Sequence, residues 1–89
     1  MKIWKIAQSK NRGYDTYDSA VVVAASAEGA RRIHPNGDDR WRDDHRDWGE
    51  GIWANKSWAR NPNHVSVEEI GDAKPGAEVG IVCASFNAG

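Results

Sequence analysis

Eighty-nine residues suffice for one domain with one modest core, and a chain of this size often completes its burial against copies of itself. Twelve Lys and Arg against thirteen Asp and Glu leave a formal net charge of -1. That charge gives no overall positive field to draw in duplex nucleic acid and no acidic excess to imitate it. The start, MKIWKIAQSK, is cationic but carries no apolar run of signal-peptide length, and no segment is long enough to span a membrane, so a cytoplasmic protein is expected.

KIWKIAQ, residues 2 to 8, is a short apolar-rich run stopped by SKNRG and predicts a first strand. The loop NRGYDTYD has the Gly and Asp content of a long hairpin connection. After it SAVVVAA, residues 19 to 25, is β-branched and predicts a second strand. Ser26 is placed to cap a helix in which Glu28 meets the positive end, Ala27, Ala30 and Ile33 face the sheet, and Pro35 ends the run. HVSVEEIG, residues 64 to 71, and AEVGIVCASF, residues 77 to 86, predict the last two strands, joined by the turn at Lys74, Pro75 and Gly76.

The expected fold is thus α+β in the order β-β-α-β-β: one domain over residues 1–89, with a four-stranded mixed sheet, one main helix and a Trp- and charge-rich insertion at 35–63. If the helix joins parallel second and third strands, the first and fourth run the other way. Residues 14–18, 34–63 and 85–89 then share one end of the sheet.

Within the insertion, GDDRWRDDHRDWGEG predicts a short helix from Asp38 or Asp39 to Trp48, stopped by Gly49, with Trp41, His45 and Trp48 on one face. Like charges oppose that helix at i, i+4: Asp39 with Asp43, and Arg42 with Arg46. His34, Asp38, Asp39, Asp43, Asp44 and His45 could supply metal ligands, but their spacing matches no metal motif and the interspersed arginines repel a cation. No metal and no cofactor is expected. Neither a GxSxG elbow nor a phosphate loop occurs, so a non-enzymatic protein is expected. Cys83, the single cysteine, reads as a small apolar filler in the last strand, where Val79, Ile81 and Cys83 point to one face and Val82, Ala84 and Phe86 to the other.

Five tryptophans in 89 residues stand out, four of them at 41, 48, 53 and 58, each near Arg or Lys. Tryptophan anchors interfaces and stacks on planar bases. Arg40, Arg42, Arg46, Arg60 and Lys56 could meet phosphate or carboxylate. Ile52 is the only aliphatic in the insertion larger than alanine, so two of the four rings are assigned to packing and two to binding.

At YDTYDSAVVVAASAEGARRIHP, VSVEEIGDA and GIVCASFNAG the chain resembles a group of short phage and bacterial proteins that share the pattern YDSAVV, EAR, IHP and an SFNAG-like end, although Gly29 stands where that pattern has an acid. The resemblance covers roughly residues 13 to 35 and 64 to 89 and implies a phage-linked protein in the cytoplasm of a bacterial host. By analogy with small phage proteins it points to counter-defence. The expected function is to sequester a small anionic nucleotide-like ligand. Trp41, Trp48, Trp53 and Trp58 would stack on it, Arg40, Arg42, Arg46 and His45 would meet its charge, and Tyr14, Tyr17 and Asn87 would add polar contacts. The alternatives are an inhibitor that grips a host defence protein through the charged insertion, and a small metal-dependent hydrolase. A homo-oligomer, dimer or larger, is expected because both faces of the last strand are apolar.

Overall fold

Two stretches rich in β-branched residues form the centre of the sheet, because their alternation buries one face of each: Trp4 and Ile6 on β1 (Lys2–Ala7), and Ala20, Val22 and Ala24 on β2 (Thr16–Ala24). The computed structural model describes residues 1–87, and after these strands come α1 (Ala27–Arg31), α2 (Ile52–Lys56), a 3-10 turn at Pro62–His64, β3 (Ser66–Asp72) and β4 (Gly80–Asn87). Ala88 and Gly89, part of the SFNAG corner of the expected site, lie outside the described residues.

The strand order is β3-β1-β2-β4 and every neighbouring pair is antiparallel. The α+β class with a four-stranded sheet is as expected, but the sheet is not mixed: β2 and β3 run the same way with β1 between them, so they never pair. Nor is there one main helix. The Ser26 side chain accepts from the Gly29 backbone N–H and starts α1, which lasts five residues, and a second five-residue helix, α2, lies inside the insertion.

The segment read as a helix from Asp38 to Trp48 is a chain of tight turns. Asn36 accepts from the backbone N–H groups of Asp38 and Asp39 at 2.9 and 3.0 Å, turning the chain so that Ile33 and Arg40 form a bridge. Arg42 then pairs with Asp47 through two hydrogen bonds of 2.8 and 3.0 Å. Residues five apart lie on different faces of a helix and cannot make this pair, so the bidentate contact favours the loop that the i, i+4 repulsions already preferred. Gly49 permits a close approach rather than stopping a helix: its φ is +147°, and a Cβ there would sit 2.5 Å from an oxygen of Asp39.

One core cluster joins the layers. Trp48, Trp58, Ala54 and Ala59 of the insertion pack with Ala30 and Ile33 onto Trp4, Ile6, Ala20, Val22 and Ala24. The insertion and α1 therefore cover the same face of the sheet, and Ile3, Val21 and Val23 belong to the opposite face. Two expectations for β4 are corrected. Ile81 pairs with Val22 and Cys83 with Val21, so Val82 is an extra residue in a bulge and Ile81 and Cys83 lie on different faces. Cys83 is exposed instead of filling an apolar gap, because β4 is an edge strand.

Candidate functional site

The ends of β1 and β4 and the starts of β2 and β3 meet at one end of the sheet, where Ala7 pairs with Ser66 and Thr16 with Asn87. The β1–β2 loop is built there around Gln8, a buried amide. Its Nε2 donates to the carbonyls of Asn11 and Tyr17, and its Oε1 accepts from the N–H groups of Lys10 and Asn11, all between 2.7 and 2.9 Å. Asn11 carries the order across to the insertion, donating to the carbonyls of Lys56 at 2.6 Å and Trp58 at 3.1 Å. The Tyr17 N–H donates to Ser57 and that of Asp15 to Asn87, which tie the start of β2 to α2 and β4. Asp15 reaches this contact with φ of 59°, a left-handed conformation that Asp tolerates better than most residues.

Between the loop and the α2 segment lies a cleft of about 650 Å³, within the range of small-ligand sites. Lys10, Lys56, Arg60 and His64 line it, with Asp15 as the one acid, and none of Lys10, Lys56 and Arg60 has a carboxylate within salt-bridge distance among the described residues. Tyr14 and Trp53 stand at its rim, 79% and 65% exposed, two large rings held in water. Trp58 lies on its wall, fully buried, and its indole Nε1 finds no acceptor among the described residues. Asp15 and Trp53 also line a smaller neighbouring slot with Tyr17, Ser57 and Phe86, so the rim of one depression is the wall of the next.

The other expected site residues fall into different places. Trp48 is fully buried and donates from Nε1 to the Ala59 carbonyl at 2.7 Å, while Trp41 is half-buried edge-on against it. Tyr17 is half-buried, edge-on to both His34 and Phe86. Arg42 is held by Asp47, whose carboxyl the guanidinium's hydrogen bonds keep below the usual carboxylate range. Arg40 donates to the carbonyl of Asp39, His45 pairs with Asp44, and Arg46 sits exposed at φ 54° in the 42–47 turn. Arg40 and Arg42 border a separate shallow groove with Asp38, Asp39 and Glu50, which shares no lining residue with the cleft. Asn87 closes the far end of β4, its side-chain amide donating to Gly13. Of the four insertion tryptophans, then, three pack and one is presented to solvent.

The acids weighed as ligands are dispersed as well: Asp43 pairs with Arg32 and Asp44 with His45, and Asp39 accepts from Asn36. Among the described residues no three of His, Cys, Asp and Glu converge on a point that could hold a metal ion. His34 is fully buried, receiving the Asn36 N–H at Nδ1 and reaching the Ala54 carbonyl from Nε2 at 2.7 Å. Accepting at Nδ1 makes Nε2 the protonated nitrogen of a neutral ring, and burial pushes its pKa below the ordinary 6.5 against the opposing pull of the Ala54 bond and Asp39.

Lys10, Asn11 and His64 were absent from the sequence-based site. Lys10 sits in a loop legible only as a loop, and His64 arrives from 54 positions away on a 3-10 turn. Comparison of the chain with known protein families, with curated protein sequences and with solved structures finds no match.

Proposed function

We propose that this protein is a non-enzymatic binder that sequesters a small anionic nucleotide-like ligand in the cleft between the β1–β2 loop and the α2 segment. The observation that supports it is the pairing of an exposed indole, Trp53, with three cations that lack a carboxylate partner among the described residues. Stacking on such a ring is tolerant of base identity, and Lys and Arg meet phosphate oxygens. Loop order set by Gln8 and Asn11 holds the groups in place before a ligand arrives, which lowers the cost of binding. The counter-defence setting rests on the resemblance to short phage proteins and is an analogy.

Titration with a panel of linear and cyclic nucleotides, followed by tryptophan fluorescence, tests the proposal. Binding should perturb the emission, and Trp53→Ala or Arg60→Ala should weaken it by about 1–3 kcal/mol. Arg46→Ala, on the distant turn, should leave it unchanged. A panel that produces no response would favour the second reading, an inhibitor that grips a host protein. The run Asp43, Asp44, His45, Arg46, exposed at every position, supports that alternative.

A further inference from the structure

The sheet has two edges of opposite character. β3, the first, reads SVEEIGD and carries Glu68, Glu69 and Asp72, together with a bulge between its pairings to Ile3 and Trp4. Both edges carry a bulge, that of β4 at Val82, so charge is what sets them apart: acids on an edge strand keep a second strand from adding to it. β4, the other edge, reads GIVCASFN over eight residues: no charge and no proline, with Ile81, Ala84 and Phe86 on the core-side face and Cys83 between Gly80 and Ser85 on the other. Val82 is 59% exposed and Phe86 47% exposed, and Cys83 is exposed beside them.

We infer that β4 is a self-pairing edge, and that two copies of this chain join β4 to β4 across a two-fold axis into one continuous eight-stranded sheet. The argument for a second copy as the occupant is complementarity. An uncharged strand is matched by a strand of the same kind, and the other edge of the same molecule, with three acids, is not. Adding β3 to β4 would set an acidic strand beside an uncharged one and would leave a free edge at each end, an open chain of molecules. Adding β4 to β4 uses both bare edges at once and leaves only acidic ones outside, so the assembly closes at two.

The face rule limits where the cysteines go. A two-fold perpendicular to the sheet keeps each face on its own side, and residues directly opposite each other in an antiparallel pair share a face. The centre of pairing must therefore lie on a residue, and because the bulge at Val82 breaks the alternation, regular pairing uses the stretch from Cys83 onward, where a centre at Cys83 or Ala84 brings the cysteines of the two copies together. In the first case the two Cys83 side chains are opposite each other, and in the second they are diagonal neighbours. Either way they stand on the same open face within about 8 Å. Val21 and Val23 of β2 flank them there, extending the apolar band to both sides of the seam.

The pairing needs no ligand, so its test stands apart from that of the cleft. Light scattering of the full chain at micromolar concentration should report a dimer, and a short bismaleimide should join the copies through Cys83 into a covalent dimer. Cys83→Ser should abolish the cross-link while leaving the dimer in solution. Val82→Lys adds a charge to a residue that is already exposed, and it should shift the species to monomer with unchanged circular dichroism. A wild-type monomer at that concentration overturns the inference, as does a dimer that neither cross-links through Cys83 nor responds to Val82→Lys. Scattering that grows without limit as concentration rises would also overturn it, because the assembly would not be closed.

Discussion

Two fully buried indoles, ten residues apart, sit in the same core cluster and differ in one hydrogen bond. Trp48 donates to the Ala59 carbonyl, whereas the Trp58 N–H has no acceptor among the described residues. Replacing an indole by phenyl leaves a void at either position, but Trp48→Phe also strands a buried carbonyl while Trp58→Phe removes an unpaired donor. In urea unfolding, Trp48→Phe should therefore be the more destabilising of the two by about 1–2 kcal/mol. Equal losses would mean that the Trp58 N–H has found a partner such as an ordered water. The contrast also separates packing from binding: Trp53, outside the cluster, should tolerate Trp53→Ala with little change in stability even where the ligand is lost.

At the scale of the element, the β1–β2 loop depends on one side chain. Gln8→Ala removes four hydrogen bonds from residues 8–17 and none from the sheet ladder. Its expected effects are a loss of about 1–3 kcal/mol, faster amide exchange over residues 9–14, and weaker ligand binding although Gln8 does not line the cleft. Unaltered exchange in the loop would show that Asn11 alone holds it. Elements of this kind mark the limit of what was legible in the sequence. The β-branched run at Val21–Val23 and the Ser26 cap announce β2 and α1, because burial and capping leave a local pattern. Trp41, His45 and Trp48 have helical spacing, yet the fold there is decided by the Asn36 turn and the Arg42–Asp47 pair, contacts that periodicity does not encode. The bulge at Val82 is equally silent in the alternation and reverses the faces of β4 beyond it. The cleft was half legible: Tyr14, Trp53 and Trp58 stood out by type and Lys56 and Arg60 by charge, while Lys10 and His64 join them only through the closing of the sheet.

For the molecule as a whole, His34 is the joint between layers: it follows α1, reaches the carbonyl of Ala54 in α2, and meets the rings of Tyr17, Trp48 and Trp58. Its lowered pKa gives stability a definite pH dependence. Above 6.5 the ring is neutral in both the native and the unfolded chain, and nothing is lost. As pH falls below 6.5 the unfolded chain takes up a proton that the native ring refuses, so stability declines down to the depressed native pKa and then levels. Asp47 and Asp72, whose carboxyls are held below their ordinary 3.8 by Arg42 and Lys2, act in the same direction at lower pH. Their contribution is complete above 3.8 and fades as pH falls through the native values. Urea midpoints measured from pH 7.5 to 5 should fall in the wild type, and His34→Gln, less stable at neutral pH, should show a shallower slope. A wild-type midpoint that stays flat between pH 6.5 and 5 would mean that the buried ring is matched by an equally shifted one in the unfolded chain.

The Arg42–Asp47 clamp has a practical consequence. It closes a stem whose backbone bridge and paired side chains hold residues 42 and 47 together whatever lies between them, and the four residues between are all exposed. Loops anchored in this way accept added length at small entropic cost. An epitope tag or a fluorophore-bearing peptide spliced between Asp44 and His45 would hang from a clamped stem whose residues do not line the cleft. The protein could then be followed, or pulled out of a mixture together with whatever it holds.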